Sequence, residues 1–142
     1  MDSAKTHQIV SGWYAAMGKF QWDAVMDALS DDVLFILSPK PYTQMIPYLG
    51  RWVGKSAFME ASKIRNDTSQ ISGLEVKSIV AQGNTAAARI ISKSTCIATK
   101  VYFELDITQW IDLNEQGKIV RVDAIFDPVP EMNAFKPGTV AF

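Results

Sequence analysis

The chain has 142 residues, 48% of them hydrophobic and 20% charged, with a net charge of −1; that length suits a single domain able to bury about 68% of its unfolded surface. No basic cluster supplies the electrostatic attraction that nucleic-acid binding rests on, and no apolar run approaches the roughly 18 residues of a membrane span. One cysteine and one histidine offer neither a disulfide nor a clustered metal site, so no metal or cofactor is expected, and Met1–Lys5 lacks the basic and apolar stretches of a signal peptide, which makes the cytoplasm the expected location.

The first element is a helix. From Thr6 to Lys19, the residues Ile9, Val10, Trp13, Tyr14 and Met17 recur with helical spacing and form one apolar face, weakened at its end by Gly18. A short second helix follows, with Trp22, Val25, Met26 and Leu29 on one face and Ser30-Asp31-Asp32 as its stop. Val33–Leu37 is an apolar run of buried-strand length. Residues 38–54 hold Pro39, Pro41, Pro47, Gly50 and Gly54 and read as a long loop. Its Tyr42, Met45, Ile46, Tyr48 and Trp52 are too apolar for a solvated segment, so it should pack over something. Phe58, Ala61 and Ile64 then mark a third helix.

The second half alternates as strands do. Leu74–Lys77 begins the pattern, Gly83-Asn84 makes a tight hairpin turn, and Thr85–Ser94 returns. A longer strand runs from about Lys100 to Leu113 and turns at Asn114–Gly117. The last strand, Lys118–Phe126, puts Val120, Val122, Ala124 and Phe126 on one face and Arg121, Asp123 and Asp127 on the other. Pro128, Pro130 and Pro137 predict a tail that continues neither helix nor central strand. Helices on one face of a curved antiparallel sheet make an α+β domain whose two layers enclose a cavity.

Three stretches of this chain resemble the nuclear transport factor 2-like superfamily: Trp13-Tyr14-Ala15-Ala16 through Asp31-Asp32-Val33, Pro47–Gly54, and Asn114–Val120 up to Phe126-Asp127-Pro128. Within it the chain is similar to ketosteroid isomerases, limonene epoxide hydrolases and SnoaL-like polyketide cyclases, with a core at about 6–128 and a tail at 129–142. The resemblance implies a cone-shaped fold of three N-terminal helices on a curved antiparallel sheet. It does not carry the catalytic groups across. The isomerase's oxyanion-hole tyrosine falls on Trp13, with Tyr14 one residue on. Its base falls near Ser38, and its protonated aspartic acid falls near Gln109, which donates a hydrogen bond without transferring a proton. The hydrolase's Arg-x-Asp falls on Ile90 and Ser92, and the acid of its last strand, like that of the cyclases, on Ala124.

Tyr14 on the first helix and Gln109, which the resemblance turns toward the cavity together with Ser38 and Ser92, are the two expected donors able to hold a developing oxyanion in an apolar pocket. The base is missing, and Asp106 or Asp127 would supply it only in a strand register one residue away. The alternation assigns Glu104, Asp106 and Thr108 to the outer face, where an arginine, Arg89 or Arg121, would pair with a carboxylate. Trp13, Met17, Ser38, Tyr42, Tyr48, Trp52, Ser92, Val122, Ala124 and Phe126 are the expected pocket lining, with Tyr42, Tyr48 and Trp52 either a lid or a plug against another subunit. The expected function is isomerisation, cyclisation or dehydration of a small hydrophobic carbonyl or polyketide-like metabolite. The alternative is a binding or assembly module that has lost the family's acid and base groups. Trp110, Thr108 and Ile125, on the outer sheet face, favour a homodimer.

Overall fold

The computed structural model describes residues 1–37 and 45–138. The chain forms α1 (Ser3–Gly18), α2 (Trp22–Asp27), β1 (Leu29–Leu37), β2 (Gly50–Val53), α3 (Lys55–Thr68), β3 (Ser69–Gln82), β4 (Thr85–Cys96), β5 (Tyr102–Leu113), β6 (Ile119–Ile125) and α4 (Val129–Phe135). The six strands make one sheet in the order β2-β1-β6-β5-β4-β3. No helix is long and apolar enough to cross a membrane.

Local chemistry sets these elements. Asp2 caps α1, its side chain accepting from the Lys5 N–H at 2.7 Å, and Val10, Trp13 and Tyr14 bury the face that the spacing marked. The turn into α3 requires Gly54, whose φ of +94° disfavours a side chain and whose N–H reaches the Val33 carbonyl at 2.7 Å. Gly83-Asn84 closes the β3–β4 hairpin beyond the Gln82–Thr85 pair. In β5, Phe103, Leu105, Ile107, Ile111 and Leu113 are buried while Tyr102, Glu104, Asp106 and Trp110 are exposed, so the period-two reading of this strand holds along its length. Irregularities at Ile71/Gly73 and Val76/Ser78 interrupt the β3 ladder, the kind of feature that bends a strand and curls its sheet.

Besides β1 starting already at Leu29, so that Ser30-Asp31-Asp32 lies in the strand instead of ending α2, the chain departs from the sequence reading in four places. First, β1 pairs in parallel with β6, although every other pairing is antiparallel; nothing in a short apolar run reveals which distant strand it will meet. Second, the long connection contains an edge strand, β2, paired with β1. Third, the pairing jumps from Asp112–Arg121 to Leu113–Ile119, leaving Val120 unpaired and giving its inward place to the fully buried Ile119. Finally, the tail folds into α4. Pro128 is its N-cap and a proline occupies its first turn, the one part of a helix where the missing N–H costs nothing. Ala134 of α4 is fully buried, and Phe135 stacks edge-on to both Tyr48 and Phe103. The core lies between α1 and the inner sheet face, where Val10, Trp13 and Tyr14 meet Ile111, Leu113 and Val122, and α3 and α4 complete the cover.

Candidate functional site

Between the helices and the inner sheet face lies a cavity of two adjoining lobes. One is walled by Tyr14 and Met17 of α1, Arg65 of α3, Ile90 and Ser92 of β4, Leu105, Ile107 and Gln109 of β5, Ala124, Phe126 and Glu131. The other lies under Trp13, Phe35, Trp52, Phe58 and Ala61. Met17, Leu37, Tyr48, Arg65 and Gln109 border both lobes, which therefore lie side by side. Most of the wall is aliphatic or aromatic, with a few convergent polar groups, the usual composition of a small-molecule site.

Two hydrogen-bonded pairs organise those polar groups. In the first, the Tyr14 hydroxyl donates to Oε1 of Gln109. Burial pushes the Tyr14 phenol well above its ordinary range, so it stays a neutral donor committed to Gln109, and it is the Gln109 amide nitrogen that remains to serve a ligand. In the second, the Tyr48 hydroxyl donates to Oε1 of Glu131. The Glu131 carboxyl is fully buried, and its other oxygen, Oε2, has no hydrogen-bond partner. Burial raises the Glu131 pKa above the usual carboxylate range, against the opposing pull of the Tyr48 hydrogen bond and the Arg65 charge. Burial, the Glu131 charge and the hydrogen bond to Glu131 all push the Tyr48 phenol upward. Nearby, Arg65 donates from Nη2 to the Ser92 hydroxyl at 2.8 Å.

The structure thus distributes the sequence candidates unevenly. Tyr14, Gln109, Met17, Tyr48, Ser92, Ala124 and Phe126 line the first lobe, and Trp13 and Trp52 line the second. Trp13 is also a core residue, its indole N–H bound to the Val25 carbonyl at 3.2 Å. Val122 belongs to the core beneath the cavity rather than to its wall. Ser38 and Tyr42 lie outside the described residues. Asp106 and Asp127 are not site residues. Asp106 faces out from β5 in a two-pronged ion pair with Arg89, at 2.7 and 3.1 Å, which holds its carboxyl below the ordinary range. Asp127 is exposed and accepts from the Val129 N–H at the entrance to α4. The inner-face register of β5 is the one the alternation gave, so Asp106 does not turn inward.

The two charged residues of the cavity wall, Arg65 and Glu131, escaped the sequence reading. Arg65 shares a helix face with Phe58, Ala61 and Ser62, at i, i+3, i+4 and i+7; reading Ile64 as the continuation of that face hid it. Glu131 sat in a segment dismissed for its prolines, although a proline followed by an acid is a mark of a helix's first turn. Among the described residues no three of His, Cys, Asp and Glu gather where they could hold a metal ion.

Comparison with known proteins agrees with this fold. Among solved structures, a nuclear transport factor 2-like protein from Burkholderia xenovorans superimposes with a TM-score of 0.82 at 21% identity, over 96% of this chain and 99% of that one. A Xanthomonas campestris protein provisionally called a polyketide cyclase gives 0.74 at 19%, covering 96% and 100%. A Bacillus subtilis protein provisionally called an isomerase gives 0.73 at 18%, covering 96% of each chain. Identities this low establish the fold alone. No functionally curated protein matches the sequence. The model of the SnoaL-like domain family matches residues 10–122, most of the chain, and the chain belongs to that family.

Proposed function

We propose that this chain is an enzyme that moves a proton on a small hydrophobic carbonyl compound, in an isomerisation, cyclisation or dehydration. The observation that carries the reading is Glu131, a buried carboxyl in the wall of an apolar cavity with one oxygen unpartnered. A carboxyl whose pKa is raised is a stronger base toward a carbon acid when ionised and a reservoir for the same proton afterwards. In the step we propose, Glu131 takes a proton from the carbon beside the substrate carbonyl. The C–H electron pair moves onto the carbonyl oxygen, and the Gln109 amide, set in place by Tyr14, donates to the resulting enolate. Return of the proton to another carbon completes an isomerisation. Attack of the enolate carbon on a second carbonyl closes a ring, the new alkoxide oxygen taking the proton from Glu131, and departure of a β-hydroxyl with that same proton, as water, gives a dehydration. The neighbours provisionally called a polyketide cyclase and an isomerase are compatible with chemistry of this kind.

The resemblance puts the family's acid at Ala124, which supports the competing reading of a binding module without turnover. The experiment that separates the two begins with a thermal-shift screen of cyclic enones and aromatic polyketides. The α-proton exchange of any ligand found is then followed in deuterium oxide by NMR. We expect wild-type protein to catalyse exchange, Glu131→Gln to lose it by about 100-fold or more, and Asp106→Asn to exchange as wild type does. Equal rates in wild type and Glu131→Gln, or no exchange above buffer in wild type, would overturn the proposal.

A further inference from the structure

Two of the chain's four arginines form ion pairs on the outer sheet face, and Arg51 of β2 is exposed to water. On the outer face Arg89 is paired with Asp106 at 2.7 Å and Arg121 with Asp123 at 2.9 Å. Arg65, half-buried in the cavity wall, has no carboxylate within ion-pair distance among the described residues. Its one side-chain hydrogen bond there is the donation from Nη2 to Ser92. A guanidinium carries five N–H donors in a planar fork matched to a carboxylate, and here one of them is taken by Ser92. Glu131 feels its charge but is engaged instead by Tyr48. Arg65 also lies where the two cavity lobes meet a third, which passes along Met17, Phe20, Trp22 and Leu74. An anion docked there would be reached from any of the three.

We propose that Arg65, steadied by Ser92, is the anchor for a carboxylate on the ligand, so that the substrates are carbonyl compounds bearing a carboxylic acid on an apolar frame. This rests on the cavity being the ligand site and names the class of molecule it selects. Ser92 fixes one prong of the fork and leaves the remaining donors for the two carboxylate oxygens. The apolar walls then exclude water from the ion pair, and the ring or chain of the ligand lies against Leu105, Ile107 and Phe126. A purely structural arginine in the last turn of α3, placed there to suit the helix dipole, would affect folding but not the choice between ligands.

The test uses two probes of the same shape, 2-naphthoate and the neutral 2-naphthamide, titrated calorimetrically at pH 7 and low salt into the full chain. A charge-assisted, two-pronged contact predicts that wild type prefers the acid by about 10- to 100-fold. Arg65→Gln should abolish the preference, Arg65→Lys should keep part of it, and Ser92→Ala should weaken acid binding a few-fold by loosening the fork. Asp106→Asn, on the outer face of β5, should retain the preference; wild type that selects the acid without catalysing proton exchange, or exchanges without selecting it, tells failure of one reading from failure of the other. Should Arg65→Gln not fold, the wild-type ratio and Arg65→Lys carry the test. The proposal is overturned if wild type binds both probes equally, if it binds neither at millimolar concentration, or if Arg65→Gln still favours the acid.

Discussion

Replacing Glu131 by glutamine should make the protein more stable, and the gain should depend on pH. In the native structure the Glu131 carboxyl is fully buried, accepts one hydrogen bond from Tyr48 and leaves Oε2 unpaired. Glutamine preserves the shape and an oxygen for Tyr48 while removing the charge. The folded pKa of Glu131 lies above its unfolded value because burial disfavours the anion, so between those two pKa values the folded state holds more protons than the unfolded one. Stability contributed by the protonated carboxyl is therefore complete below the unfolded value, about 4.3, and is lost as the pH rises through the folded one. Leaving a buried polar group unsatisfied costs about 1–3 kcal/mol, more when it is charged, and each pH unit separating the two pKa values is worth about 1.4 kcal/mol. At pH 8 the variant should then gain about 2 kcal/mol, or roughly 6 °C of melting temperature for a chain of this size. At pH 4 the two proteins should melt together. Scanning calorimetry from pH 4 to pH 9 measures both curves. Parallel curves for wild type and Glu131→Gln would refute the argument, since they would mean that Glu131 titrates alike in both states. The same substitution is expected to remove proton exchange, so stability and activity should move in opposite directions.

Tyr14→Phe should keep the fold but strip Gln109 of the donor that orients it, lowering turnover of any substrate found by about 10-fold or more while changing the melting temperature by only a few degrees; an unchanged rate would make Tyr14 a core residue only. Val122→Asp should place a carboxylate in a fully buried position and destabilise by several kcal/mol, measured by urea unfolding, and a variant as stable as wild type would mean that the β6 register is wrong. We further propose that the outer sheet face joins two copies of the chain: Trp110 and Ile125 are 50% and 55% exposed there, so light scattering should report a dimer at micromolar concentration and a monomer for Trp110→Lys. A wild-type monomer would remove that idea.

How much of this protein its sequence determines depends on the range over which each feature is written. The period-two burial of β5, the Gly83-Asn84 hairpin, the apolar face of α1 and the inward position of Gln109 were legible, because each follows from backbone geometry within a dozen residues. The outward position of Asp106 was legible for the same reason, and with it the absence of a base on β5. The site's acid was not legible there, because Tyr48 and Glu131 stand 83 residues apart and meet only when the chain returns over the cavity. The parallel union of β1 with β6 likewise depends on which strands the closing sheet brings side by side. Burial converts these meetings into chemistry. An exposed glutamate in a proline-flanked turn titrates as any other, whereas packing α4 against β5 and Tyr48 withdraws Glu131 from water and raises its pKa. Likewise, it is the placement of α3 beside β4 that turns Arg65 from a helix-end cation into a donor facing the cavity with a serine at its side.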